Sequence, residues 1–115
     1  MATRETFRGT TYNETLGRSG GLRLVVTRTG SADAVVVRFD AFGGLIGAGQ
    51  LTGRLFRDGR LVASGTLMMG RNPFATELEG VISGDRLAGN AFYSRVTELG
   101  MRPSITRGTF EVRRD

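Results

Sequence analysis

Gln50-Leu51-Thr52-Gly53-Arg54-Leu55-Phe56-Arg57-Asp58-Gly59-Arg60-Leu61-Val62-Ala63-Ser64-Gly65-Thr66-Leu67 reads as two strands folded back on one another. Leu51, Gly53 and Leu55 alternate with Thr52 and Arg54; Leu61, Ala63, Gly65 and Leu67 alternate with Val62, Ser64 and Thr66. A period of two with one apolar parity is the mark of a strand with one dry face and one wet face. Asp-Gly between two such runs predicts a two-residue type I′ turn at Arg57-Asp58-Gly59-Arg60. Glycine on the dry parity weakens a strand and is kept where the strand must coil sharply or backbones approach closely.

The same reading extends along the chain. Strands are predicted at about 5–12, 20–29, 33–40, 47–57, 60–69, 75–83, 86–94 and 104–113. Further tight turns are predicted at Thr29-Gly30-Ser31-Ala32 and Ser83-Gly84-Asp85-Arg86. Both prolines, Pro73 and Pro103, fall in predicted inter-strand loops. Helix signals are scarce, because 18 of the 115 residues are glycine and each costs about 1 kcal/mol inside a helix. The inward parity carries Leu22, Leu24, Val26, Val35, Val37, Phe39, Leu78, Ile82, Leu87, Tyr93, Phe110 and Val112. Gly9, Gly53, Gly65, Gly80, Gly89 and Gly108 share that parity, and inward glycines are what closing a small barrel needs.

The fold expected is a single all-β domain over residues 1–115, an eight-stranded antiparallel up-and-down β-barrel, with a two-sheet β-sandwich as the alternative. This architecture resembles the calycin-type barrels: lipocalins, fatty-acid-binding proteins and avidins. Gln50-Leu51-Thr52-Gly53-Arg54 is similar to a strand sequence common in avidins. The tryptophans that line an avidin biotin pocket are absent, and Gly9-Thr10-Thr11 lacks the tryptophan of the lipocalin N-terminal motif. The resemblance is architectural, and no family is assigned on it.

Composition removes whole classes of chemistry. The chain has no His, Cys, Trp or Lys, hence no thiol or imidazole nucleophile, no lysine base, no disulfide and no zinc finger. All 16 basic residues are arginine, a genome-composition effect in keeping with a bacterial source, and the net charge is +5. That charge is spread from Arg4 to Arg114 among acidic residues, and only Phe56 and Phe92 are aromatic on the outward parity. Nucleic acid is therefore not an expected partner. There is no apolar window long enough for a transmembrane helix. The start, Met1-Ala2-Thr3-Arg4-Glu5, has no apolar signal region. Absence of cysteine suits a bacterial cytoplasm or periplasm equally.

In a meander, successive links alternate between the barrel ends. The links at about 13–19, 41–46, 70–74 and 95–103 are the longer ones and fall at one end. Function concentrates on loops carried by a rigid scaffold, and barrel mouths are common ligand sites. These links are apolar: Ala41 to Gly49 carries no charge, and Met68, Met69, Phe74, Leu99 and Met101 join it. Tyr12, Phe42, Leu45, Met69, Arg71, Phe74, Tyr93, Met101 and Arg102 are the predicted ligand-binding residues, with Arg71 and Arg102 orienting an acidic head group. The competing expectation is that the loops plug the barrel end.

No catalytic set, metal site or cofactor is expected. Glu77 and Glu79 lie on the outward parity, and Asp40, Glu14 and Glu98 are the only carboxylates placed to meet at the mouth. The expected function is a non-catalytic binding protein for a small apolar or amphipathic ligand, anionic ones included. The alternatives are a protein-interaction module or inhibitor using the same loops, and a small barrel enzyme of cyclase or isomerase type with Tyr93 on its wall. Outward Phe56, Val62, Met68, Val81 and Phe92 on strands four to seven predict an apolar patch and a homo-oligomer packed through it.

Overall fold

The computed structural model describes residues 3–30, 32–96 and 105–115. Eight strands, β1 (Thr3–Asn13), β2 (Arg18–Arg28), β3 (Ala34–Phe42), β4 (Gly47–Leu55), β5 (Arg60–Met69), β6 (Asn72–Ser83), β7 (Arg86–Arg95) and β8 (Ile105–Arg114), pair antiparallel in chain order. β8 returns to β1, so the sheet is a closed up-and-down barrel. Closure leaves no unpaired edge. Following paired residues around it, Thr3, Arg28, Val35, Gly53, Ala63, Leu78, Ala91, Gly108 and Asn13, one returns to β1 ten residues from the start. A stagger of this kind tilts the strands by roughly 35–45° to the barrel axis.

The seam between β1 and β8 joins the two ends of the chain. Glu5 and Arg114 meet across it at 3.0 Å, Arg8 and Asp115 at 3.1 Å, and Asp115 N–H donates to the Thr6 carbonyl at 3.0 Å. Exposed ion pairs such as these contribute little individually; the seam rests on its backbone ladder and on what lies beneath. Phe7, Leu22, Leu24, Val37, Leu51, Leu61, Leu67, Leu78, Leu87 and Val112 are fully buried on the inward parity. Arg8, Arg38, Arg54, Glu77, Glu79, Glu111 and Arg113 point outward and are exposed. A charged wall around an apolar interior reverses the polarity of a transmembrane barrel. Among the described residues, no helix is long and apolar enough to cross a membrane.

The inward glycines divide by what surrounds them. Gly53 faces Ala63, and a methyl group on it would overlap the Val62 carbonyl oxygen and the Ala63 Cα; Gly89 meets the Glu79 carbonyl and Gly80 in the same way. Gly9, Gly65 and Gly80 are likewise closed off by a neighbouring strand's carbonyl. These five let the strands coil. Gly47 differs, for its nearest neighbour is the Met69 side chain at 3.5 Å.

Several turns depart from the sequence-based expectation. At Asp58-Gly59, only glycine has a positive φ, of 92°, whereas type I′ needs it at both positions. Gly59 N–H donates to the Phe56 carbonyl at 3.0 Å and Phe56 N–H to the Arg60 carbonyl at 2.9 Å, making a three-residue hairpin with a left-handed glycine. The Asp58 carboxylate holds it by accepting from Arg60 N–H at 3.0 Å. The link predicted at 70–74 is shorter: Met69 pairs with Asn72, so only Gly70-Arg71 connects β5 and β6, with φ of 65° at the glycine. Pro73 is accordingly inside β6, opposite Met68. Its carbonyl accepts from Val96 N–H at 3.0 Å, so its missing N–H faces the end of β7, where little ladder remains to be lost. Pro103 lies outside the described residues. Strands also run further into the first two mouth links than predicted, leaving four-residue connections at 14–17 and 43–46. Loop length is thus less asymmetric than the sequence suggested.

Gly53→Ala should destabilise the protein by about 1–3 kcal/mol, as overpacking does, whereas Gly47→Ala should change stability by about 0.5 kcal/mol or less. Urea unfolding of the two variants beside the parent measures both.

Candidate functional site

Side chains fill the barrel from the tight-turn end up to Phe39, Leu67 and Tyr93, and the inward positions then become small. Ala41, Gly47, Gly108 and Thr11 stand where the layers below carry leucine and phenylalanine. The result is a cavity of about 300 Å³ opening between the ends of the strands. Its apolar lining is Leu16, Phe39, Ala41, Leu45, Ile46, Met69 and Phe74; its polar lining is Thr11, Tyr12, Asn13, Arg18, Asn72 and Tyr93, beside Gly44 and Gly108.

Of the nine predicted binding residues, Tyr12, Leu45, Met69, Phe74 and Tyr93 line this cavity. Phe42 does not. It sits on the outward parity, 52% exposed, with its ring laid over Gly21 on the adjoining strand. Arg71 is in the Gly70-Arg71 turn, exposed and off the cavity wall, because the turn is too short to bring it inward. Met101 and Arg102 lie outside the described residues. Asn13 and Asn72 were missed because the predicted strands stopped short of the mouth, Gly108 because inward glycine reads as a bend, and Thr11 because it is a polar residue on the inward parity. Phe39 falls on the core parity in the sequence, and Ala41 in the apolar mouth link at 41–46. Their shared signal was parity: continuing the inward alternation of Phe7 and Gly9 by two steps reaches Thr11 and Asn13.

The polar groups are held in fixed roles. Asn13 Oδ1 accepts from Leu16 N–H at 2.9 Å, and its backbone carbonyl accepts from Gly17 N–H at 2.8 Å, which folds the β1–β2 link around it. Asn72 Oδ1 accepts from Arg95 Nη2 at 3.0 Å. The Thr11 hydroxyl donates to the Thr109 carbonyl across the seam at 2.8 Å. Buried Thr76 donates to the Phe74 carbonyl at 3.1 Å, beneath the Phe74 ring's place on the wall. Tyr93 packs edge-on against Phe39, ring centres 6.4 Å apart at 76°. Burial pushes its phenol up to about 12, so at neutral pH it is a neutral hydrogen-bond donor.

Among the described residues, no carboxylate lines the cavity. Asp40 is on the outward parity, Glu14 faces Arg107 at 3.8 Å, and Glu98 lies outside the described residues. Among the described residues, no group of three metal-ligating side chains comes together.

On the outer wall, Arg54, Val62, Glu77, Glu79 and Phe92 line a shallow groove across β4 to β7. The five outward apolar residues do not form one patch. Met68 is six positions from Val62 on β5, about 20 Å along a strand, and Phe56 lies in the hairpin link with the Arg60 guanidinium 4.6 Å from its ring centre. Val62 and Val81 are diagonal neighbours, and Phe92 shares the groove with Val62.

Fold and site together define a closed barrel with a packed base and an apolar, donor-lined mouth. Comparison of the chain with protein-family models, curated proteins and solved structures returned no match.

Because the folded state holds Tyr93 neutral up to about 12 against an ordinary 10.0, its stabilising effect is complete below pH 10 and is lost as pH rises through that window. In a Tyr12→Phe variant, which leaves Tyr93 as the lone tyrosine, tyrosinate absorbance should rise near pH 12 or on alkaline unfolding. A rise near pH 10 in the folded protein would place the phenol in water.

Proposed function

We propose that this chain is a non-catalytic, calycin-like binding protein whose barrel mouth takes a small apolar or amphipathic ligand. The observation that carries the reading is the cavity of about 300 Å³ beside a tightly packed base. Ligand pockets begin at roughly that size and are mostly apolar with a few placed polar groups. Loops that plug the barrel end, and an interaction module that inserts those loops into a partner, both call for a solid interior, and the open apolar wall favours the ligand reading over them. A buried apolar wall of this kind gains on the order of 25 cal/mol per Å² of surface that a ligand removes from water. Met69 adds adaptability, since an unbranched thioether fits irregular partners.

Ala41 is the position to fill, because its methyl group faces the cavity at 9% exposure. An environment-sensitive apolar dye should bind saturably to the parent protein, and Ala41→Phe should weaken it by about tenfold or more while leaving the fold intact by circular dichroism. Native mass spectrometry after gentle purification gives the complementary test through a co-purified small molecule. No saturable dye binding, or binding indifferent to Ala41→Phe, contradicts the reading.

The proposed partner on the outer wall is a second copy of the chain. Arg54, Val62 and Glu79 lie in one cross-strand row over β4, β5 and β6. A two-fold axis through β5 would set Arg54 against the acidic pair Glu77 and Glu79 of the other protomer, with Val62 enclosed between and Phe92 flanking the acidic pair on β7, as a self-complementary interface requires. Light scattering should give twice the 12.4 kDa chain mass, and Phe92→Glu should return the monomer without unfolding it. A parent protein that is monomeric at high micromolar concentration ends this proposal.

A further inference from the structure

The polar atoms of the mouth are biased toward hydrogen-bond donation. In Asn13 the Oδ1 is occupied by the Leu16 N–H, and in Asn72 by the Arg95 guanidinium. Both of those partners can only donate, so the orientation of each amide is fixed, and what each still offers is its NH2 end. Arg18 adds a guanidinium, which has donors and no acceptor. It is the direct cross-strand partner of Asn13, on the same inward parity, and both line the cavity. The Tyr93 phenol is a further neutral donor on the wall. Thr11 has given its proton to Thr109, so its lone pairs remain, yet a neutral hydroxyl offers a cation far less than a carboxylate would. The apolar lining of Phe39, Met69 and Phe74 completes an amphipathic site.

We infer that the mouth selects its ligand by an acceptor head group, and takes a short monocarboxylate whose head is held by Asn13 and Arg18 with its apolar tail against Phe39, Met69 and Phe74. This rests on the binding reading above and sharpens it. The charge matters as much as the geometry: a carboxylate meets a guanidinium and an amide N–H in charge-assisted hydrogen bonds, whereas an ammonium of the same length meets a like charge, with a neutral hydroxyl such as that of Thr11 to accept from it. Size sets the tail. About 300 Å³ is the liquid volume of roughly ten waters, room for a chain of about eight to ten carbons and too little for a long one.

The test is calorimetric titration of the full chain at neutral pH with octanoate, octanol and octylamine, and with palmitate as the long acid. Octanoate should bind at least about tenfold more tightly than octylamine, and more tightly than octanol or palmitate. Arg18→Gln should remove the preference of acid over alcohol while octanol still binds, which shows that the variant keeps its fold and its apolar cavity. Octylamine binding as well as octanoate, or an acid preference that survives Arg18→Gln, overturns the inference and leaves the binding reading standing. If none of the four binds, the binding reading itself has failed. Palmitate binding best refutes the size limit and with it the short-chain assignment.

Discussion

Closing eight strands with a ten-residue stagger forces neighbouring backbones together, and the rest of the molecule follows from how that crowding is met. Where strands coil most, the carbonyl of one strand occupies the space a side chain on its neighbour would need. Gly53 against Val62 and Gly89 against Glu79 are the tightest cases. Substituting glycine at such points removes a packing side chain from the core, so the remaining inward positions must be large. They are: leucine, valine and phenylalanine fill the base of the barrel with almost no exposure. The closure also makes the first and last strands neighbours, so the β1–β8 ladder ties β1 to β8 directly.

The cavity arises when small inward residues are not accompanied by close backbones. Gly47 and Ala41 lie near the strand ends, and Gly47 has side chains rather than a neighbouring backbone against it. Small residues thus have opposite consequences at two heights of one barrel. Low down they admit a neighbouring backbone; at the mouth they leave space. Asn13 and Asn72 sit at this upper level with their oxygens already bonded, so the site presents amide hydrogens to whatever enters. A rigid donor set around an apolar space needs little rearrangement on binding, which limits the entropic cost of holding a ligand.

Much of the fold was legible because period-two alternation is a direct consequence of strand geometry. Leu51 through Leu67 showed both the pairing and the buried face, and the inward placement of all six mid-strand glycines followed from parity. The turn at Gly59 was misread because Asp-Gly suits two hairpin types, and only the φ of Asp58 separates them. Pro73 and the Gly70-Arg71 link were misread for a related reason: proline excludes a ladder bond only on the side its nitrogen faces, and sequence does not say which side that is. Five of the predicted mouth residues line the cavity, because apolar residues near loops converge at a barrel end. Phe42 does not, since one residue of register turns a side chain from the inside to the outside, and Arg71 does not, since the Gly70-Arg71 turn is too short to bring it inward.

That sensitivity to register supplies the most direct measurement. Met68 and Met69 are adjacent on β5, yet Met69 lines the cavity while Met68 faces outward at 46% exposure. With ¹³C-labelled methionine methyl groups, titration with octanol should move the Met69 resonance saturably and leave Met68 where it is. Both moving together without saturation, or Met69 remaining still, would mean that the mouth is not an open apolar cavity.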